Sequence, residues 1–211
     1  MSYFKKFTLK IVINDYYKLF RESKVFRAYF ETAYTIEKKT EDELFKNYKK
    51  SLREDIKRGE RHGLFFKELE IQHLPEFYKI YTHTVKKHRS EIIPFSLIEN
   101  IYKYTKNKGF SNFYGVFLDD ELLSGVIVVY PDEKTALALI QGTSDKGYKL
   151  EASSFIFHNI IKKEFEKGKE IFSFGSNPKD KGNLIFFKRK FGAIDYTYPV
   201  YIWYNPWYTE V

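Results

Sequence analysis

The chain has 211 residues, of which 43% are hydrophobic and 19% aromatic, enough for a sizeable core in one domain, so global disorder is excluded. It contains no cysteine, which removes disulfides, thiol nucleophiles and cysteine–zinc sites together and suits a cytoplasmic location. A formal net charge of +8 favours anionic partners such as phosphate, nucleic acid or an acidic surface.

The first residues set lysines before an apolar run, but Thr8 and Lys10 interrupt that run and no small-residue cleavage site follows. Residues 7–13 therefore read as a strand and not as an export signal. No stretch approaches ~18 uninterrupted apolar residues, so no transmembrane segment is expected. A second strand is expected over 25–36. Thr40-Glu41-Asp42-Glu43 is a capping box, with the Thr40 hydroxyl placed for the helix amides and Glu43 reaching back. The helix it opens carries Leu44, Phe45, Tyr48, Leu52 and Ile56 on one stripe and is expected to end near Gly59. Its other face holds Lys46, Lys49, Lys50, Arg53, Lys57 and Arg58, which is either a solvated face or an anion-binding one.

A strand over 64–70 precedes a helix with Leu74, Phe77, Tyr78, Tyr81 and Val85 inward. Ser96-Leu97-Ile98-Glu99 reads as a second capping box, opening a helix stopped by Gly109. Residues 113–118 and 122–130 flank Asp119-Asp120-Glu121 as an antiparallel hairpin. A strand over 135–141 and a long helix over 150–165 follow. Residues 171–174 are a short apolar run of the kind a buried strand shows. Gly175 to Gly182 is a loop of turn formers, and helical spacing resumes from Asn183, with Leu184, Phe187 and Phe191 on one side and Gly192 as C-cap. An aromatic strand over 196–204 ends the pattern. The predicted fold class is α+β: a mixed, mostly antiparallel sheet flanked by helices. The chain divides into a strand-rich segment 1–38, a connecting basic helix in 39–63 and a main domain 64–211.

Two motifs carry a family resemblance. The first is Phe172, Phe174 and Gly175, a polar loop, then Phe187, Lys188, Phe191, Gly192 and Ala193. The second is the helix segment from Ser51 to Gly59, with Arg53, Ile56, Lys57 and Arg58. Together, and in this order, they resemble the FemABX-type transferases, relatives of the GNAT acyltransferases. The resemblance covers about residues 40–204. It implies a GNAT-like domain at 64–211 and a first half reduced to residues 1–38, leaving the acceptor site open and making a homodimer conceivable.

The resemblance also implies chemistry: an amine attacks an activated acyl carbon, with no covalent enzyme intermediate. The donor lies where two neighbouring parallel strands splay apart, here 135–141 and 171–174. Lys188 would stabilise the tetrahedral oxyanion or an adjacent phosphate, and Phe187 would shape the channel. Arg53, with Lys57 and Arg58 on the same helix, would contact an acceptor or an anionic group. Gln141, Gly175, Ser176 and Asn177 complete the candidate substrate contacts. The donor is acyl-CoA or aminoacyl-tRNA, and no metal is expected. After Gln141, one glycine follows directly and the next comes five residues later, which departs from the usual acetyl-CoA loop and favours the tRNA-dependent branch. The acceptor would be an amine of a cell-envelope precursor, an amino sugar or a similar metabolite.

Other candidates fare worse. The five histidines make no metal-ligand spacing, and His158 reads as a satisfied half-buried residue. Asp119 and Asp120 are turn residues first. No nucleophile elbow, P-loop or dinucleotide fingerprint appears. Trp203, Tyr204, Trp207 and Tyr208 are expected to pack in the core or at a sheet edge. Two alternatives stay open: a nucleic-acid binder built from the basic helices, and a degenerate transferase fold serving as an interaction module.

Overall fold

A computed structural model describes residues 10–14, 27–87, 91–176 and 182–204. In chain order the elements are β1 (Lys10–Asn14), β2 (Arg27–Glu37), α1 (Glu41–Asn47), α2 (Lys50–Arg61), β3 (Phe65–Glu68), α3 (Leu74–Lys87) and α4 (Phe95–Thr105). Then come β4 (Ser111–Leu118), β5 (Glu121–Val129), β6 (Thr135–Thr143), α5 (Asp145–Lys149), α6 (Ala152–Glu166), β7 (Ile171–Ser176), α7 (Gly182–Lys190) and β8 (Ile194–Tyr204). The eight strands among the described residues form one sheet in the order β1-β8-β2-β7-β6-β5-β4-β3. The β6–β7 pair is parallel and the other described pairings are antiparallel. This is the mixed, mostly antiparallel sheet flanked by helices that the sequence pattern predicts. β2 lies between β7 and β8, so the described strands of the first 38 residues belong to the same sheet as the main domain. Phe7 to Leu9 and Val25–Phe26 of the expected strands, and Trp207 and Tyr208, lie outside the described residues.

The alternation of strand side chains builds two cores on opposite faces. On β4, Phe113 and Phe117 enter a cluster with Phe77, Tyr81 and Ile98 from α3 and α4. Tyr114 and Val116 enter the other, with Leu44, Tyr48, Leu52, Ile56 and the inward residues of α6. The stripe read from sequence is buried: Leu44 is 1% exposed, Tyr48 2%, Leu52 0% and Ile56 0%. Each contributes roughly 1.5–3 kcal/mol before entropy is counted.

The single helix expected from Thr40 to Gly59 is two helices. The Thr40 capping box forms as read, with Thr40 Oγ1 accepting from the Glu43 amide and Glu43 accepting from the Thr40 amide. Tyr48 then turns extended (φ −67°, ψ 143°), and α2 starts at Lys50. Tertiary contacts outweigh the helical pattern at this joint. The Lys49 amide donates to the Lys190 carbonyl (2.9 Å), and the Tyr48 ring packs edge-on against Phe191 and His158. The second capping box does not form. Pro94 takes the N-cap position with φ −66° and ψ 148°, no side chain caps the helix, and Ser96 falls inside its first turn. Proline at 94 restricts its own φ, and the helix begins directly after it.

Candidate functional site

Among the described residues, β6 and β7 pair at Thr135–Ile171, Ala136–Phe172 and Leu137–Ser173 alone. Beyond Leu137 they part. β7 continues alongside β2, where Ala33 faces Ser176 after a register shift, while β6 runs on to Thr143 against β5. Gly175, at φ +70°, takes the left-handed conformation that redirects the strand. The parting opens a cleft of about 330 Å³ lined by Leu137 to Gln141, Phe157, Phe174 to Ser176, Leu184, Phe187 and Lys188. Five sequence-predicted site residues therefore meet here: Gln141, Gly175, Ser176, Phe187 and Lys188.

α7 aims Lys188 at the parting point. Its Nζ donates to the carbonyls of Phe174 (2.8 Å) and Gly175 (3.0 Å), which the parted sheet leaves available. It also stands 5.2 Å from the Tyr34 ring centroid. Lys188 is only 5% exposed. The spacing of α7 puts the lysine at a helix edge toward the loop after β7, partly exposed, but Tyr34 of β2 covers that edge. Burial disfavours the charged amine and pushes its pKa down to about 7. Phe187 packs against Phe157 and Phe191 and forms the apolar wall beside it. Leu139, which sequence reasoning did not single out, and Leu184, read there as part of the apolar side of α7, expose apolar surface at the mouth (51% and 39%).

The basic helix α2 is not brought to this cleft. Arg53 Nη1 donates to the carbonyls of Tyr48 (3.1 Å), Lys46 (3.2 Å) and Phe45 (3.4 Å), so it caps the C-terminus of α1. Arg58 pairs with Asp55 (2.6 Å) and Glu151 (2.8 Å), tying α2 to the start of α6. Lys57 is exposed on the outer face of α2. Asn177 lies outside the described residues. His158 is buried, its Nδ1 3.4 Å from the Tyr48 hydroxyl, and burial pushes its pKa down to about 4. It is a core histidine, as read.

The loop from Gln141 to Lys149 is built for packing. A Cβ on Gly142 would lie 2.7 Å from the Tyr81 backbone, and one on Gly147 would lie 2.5 Å from the Leu123 carbonyl. These glycines thus admit α3 and β5, and the Gly147 amide is already used by Ser144 Oγ (3.0 Å). At the start of α6 the N-cap is Glu151, at φ +64°, its pKa raised first by burial and then by the nearby Asp55 carboxylate. A helix N-terminus attracts anions, and here the protein's own carboxylates supply that charge. Among the described residues no group of His, Cys, Asp and Glu could hold a metal ion. No described helix is long and apolar enough to cross a membrane.

β2 brings a further set of groups to the rim. Glu31 accepts from Ser176 Oγ (2.5 Å) and the Tyr198 hydroxyl (2.9 Å) on one oxygen, and from the Tyr29 hydroxyl (3.1 Å) on the other. Partial burial pushes its carboxyl pKa up, but the three hydroxyls, Ser176 first, hold it net below the ordinary value. The one sequence signal for Glu31 is a lone internal charge in the strand RAYFETAYTIE.

Residues 22–95 match the model of the FemAB family. No curated protein matches the sequence. In fold the chain is similar to the crystal structure of FemX, with a TM-score of 0.71 and 14% identity over 80% of this chain and 61% of that one. It is similar to the C-terminal domain of a putative lysylphosphatidylglycerol synthetase from Agrobacterium fabrum (TM-score 0.55, 16% identity, 84% and 61% covered). A possible acetyltransferase from Clostridium difficile 630 also matches (TM-score 0.50, 11% identity, 61% and 89% covered). The chain spans about 61% of the length of the first two. At these identities the likeness is one of fold. A match to the FemAB family model over 22–95 and a FemX-like fold over most of the chain thus occur together.

Proposed function

We propose that this chain is a FemABX-type N-acyltransferase that moves an aminoacyl group from an ester donor to an amine, with Lys188 at the reacting carbon. The observation that carries this reading is the buried Lys188 amine, fixed by two backbone carbonyls where β6 and β7 part. In the reaction a neutral amine nitrogen bonds to the acyl carbon as the carbonyl electrons move onto oxygen. Collapse of this intermediate restores the carbonyl and breaks the bond to the donor alcohol, whose oxygen leaves with the proton the nitrogen gave up. A cation fixed beside the developing oxyanion stabilises that intermediate, and its effect is strong in a site sheltered from water. With a pKa near 7, Lys188 also exchanges a proton readily at neutral pH. Phe187, Leu184 and Leu139 provide the apolar walls that shelter the site.

The donor is an aminoacyl-tRNA rather than an acyl-CoA. What supports this is the packed Gln141–Lys149 loop and the carboxylates at the start of α6, which leave no cradle for a diphosphate there. The similar fold of a protein named as a lysylphosphatidylglycerol synthetase is in keeping with aminoacyl chemistry. The acceptor is an amine of a cell-envelope precursor or an amino sugar. The test incubates the protein with charged tRNAs or acyl-CoAs and a panel of amines and follows the acyl group. Transfer from charged tRNA that is lost in Lys188→Met bears the reading out. Turnover of acyl-CoA alone would overturn the donor, and comparable tight binding to random duplex DNA and tRNA, without transfer, would favour a nucleic-acid binder.

A further inference from the structure

Glu31 stands two residues from Ala33, the partner of Ser176 across the β2–β7 pairing, and directly opposite Tyr198 on β8. Its carboxylate is half-buried and held by three neutral hydroxyls, one of them from a residue that lines the cleft. Among the described residues no lysine or arginine pairs with it, and hydroxyls alone keep it ionised. A carboxylate has about four lone-pair sites, so three hydroxyl donors leave it room for one more. The hydroxyls keep the carboxyl ionised, and a negative charge in a partly sheltered place attracts an opposite one. Such a group is stabilised by a ligand that brings a positive charge and N–H donors.

The position relative to Lys188 matters. β2 pairs with β8 without interruption from Arg27 to Thr35, so its side chains alternate strictly there. Glu31 and Ala33 share one face, while Tyr34, over whose ring Lys188 lies, is on the other. The rim formed by Gly175 and Ser176 thus has the Lys188 amine on one face and the Glu31 carboxylate on the other. We propose that Glu31, with Ser176, is the subsite for the ammonium group of the acceptor, on the face of the sheet opposite Lys188. This rests on the acyl-transfer reading for the identity of its ligand as the acceptor. The acceptor enters as an ammonium ion paired with Glu31 and sheds its proton to solvent before attack. Glu31 is a binding group here, since a carboxyl held below its ordinary pKa is a weak base.

The test titrates protein labelled with ¹³C at the glutamate carboxyls with n-butylammonium chloride, and with n-butanol as the neutral match. The Glu31 signal is identified by its absence in Glu31→Gln, which keeps an oxygen to accept from Ser176 and Tyr198. Should that variant not fold, Glu31→Asp serves the same purpose. The expected result is a saturable shift of the Glu31 signal with butylammonium only, and an affinity at least about tenfold lower in Glu31→Gln. Glu37→Gln, at the exposed end of the same strand, should bind as wild type does. Absence of a saturable Glu31 shift, or equal affinity in wild type and Glu31→Gln, overturns the proposal. The two readings separate cleanly. Ammonium binding without any acyl transfer leaves the subsite standing and removes the transferase. Transfer whose KM for the amine is unchanged in Glu31→Gln removes the subsite and leaves the transferase.

Discussion

Replacing Lys188 by methionine keeps most of the side-chain volume and removes the amine. Two opposing terms follow from its surroundings. The carbonyls of Phe174 and Gly175 each lose a donor, at about 1 kcal/mol apiece. Against this, the fold no longer has to desolvate an amine whose pKa falls from 10.5 to about 7 on burial. The sign is fixed by linkage. Between about pH 7 and 10.5 the unfolded chain binds one proton more than the native one at this residue, so stability rises with pH by about 1.4 kcal/mol per unit. That contribution is complete above the unfolded pKa and is lost as pH falls through the folded pKa near 7. Urea unfolding of wild type and Lys188→Met between pH 7 and 10 should therefore diverge, with wild type gaining steadily on the variant. Near pH 7 the two should lie within a few kcal/mol, while acyl transfer falls about 10²–10³-fold in the variant. Parallel stability curves across this range would refute the claim that burial lowers the pKa of the amine. Undiminished transfer would remove Lys188 from the chemistry.

Arg53→Ala should lower stability by about 1 kcal/mol through loss of the α1 cap and leave transfer intact. A fall in transfer with unchanged melting would return Arg53 to the acceptor site. Gly142→Ala should lower the melting temperature markedly, because a Cβ 2.7 Å from the Tyr81 backbone forces α3 away from β6, at about 1–3 kcal/mol or more. Near-native melting would show that α3 can give way. His158, neutral in the fold with a pKa near 4, should make wild type lose stability as pH falls from 6.5 towards 4, by up to about 3 kcal/mol. Acid unfolding of His158→Phe should be correspondingly flatter over that window, and identical pH profiles would speak against a buried neutral imidazole.

The sequence by itself determined what depends on near neighbours along the chain. The Thr40 capping box, the left-handed Gly109 that caps the 3-10 turn Lys106–Lys108 after α4, the left-handed Gly192 after α7, and the Asp119–Asp120 hairpin turn all close within a few residues. The order of elements and the apolar stripe from Leu44 to Ile56 followed from periodicity, and they sufficed for the α+β class. Phe187 and Lys188 were picked out together by the family resemblance, and they line one cleft because the strand, loop and helix around them are contiguous. Tertiary structure decided the rest. The helix breaks at Tyr48 because Lys190 and Phe191, more than a hundred residues later, draw that backbone out of the helix. Arg53 reads as an anion ligand in a basic stripe until the break gives it three carbonyls to cap. Lys188 is buried because β2 covers it, and Glu31 meets Ser176 because β2 inserts between β7 and β8. A local pattern fixes which face of an element is apolar. What lies across from it, and so whether a charge is solvated, capped or held at a site, is set by sheet order, to which periodicity is blind.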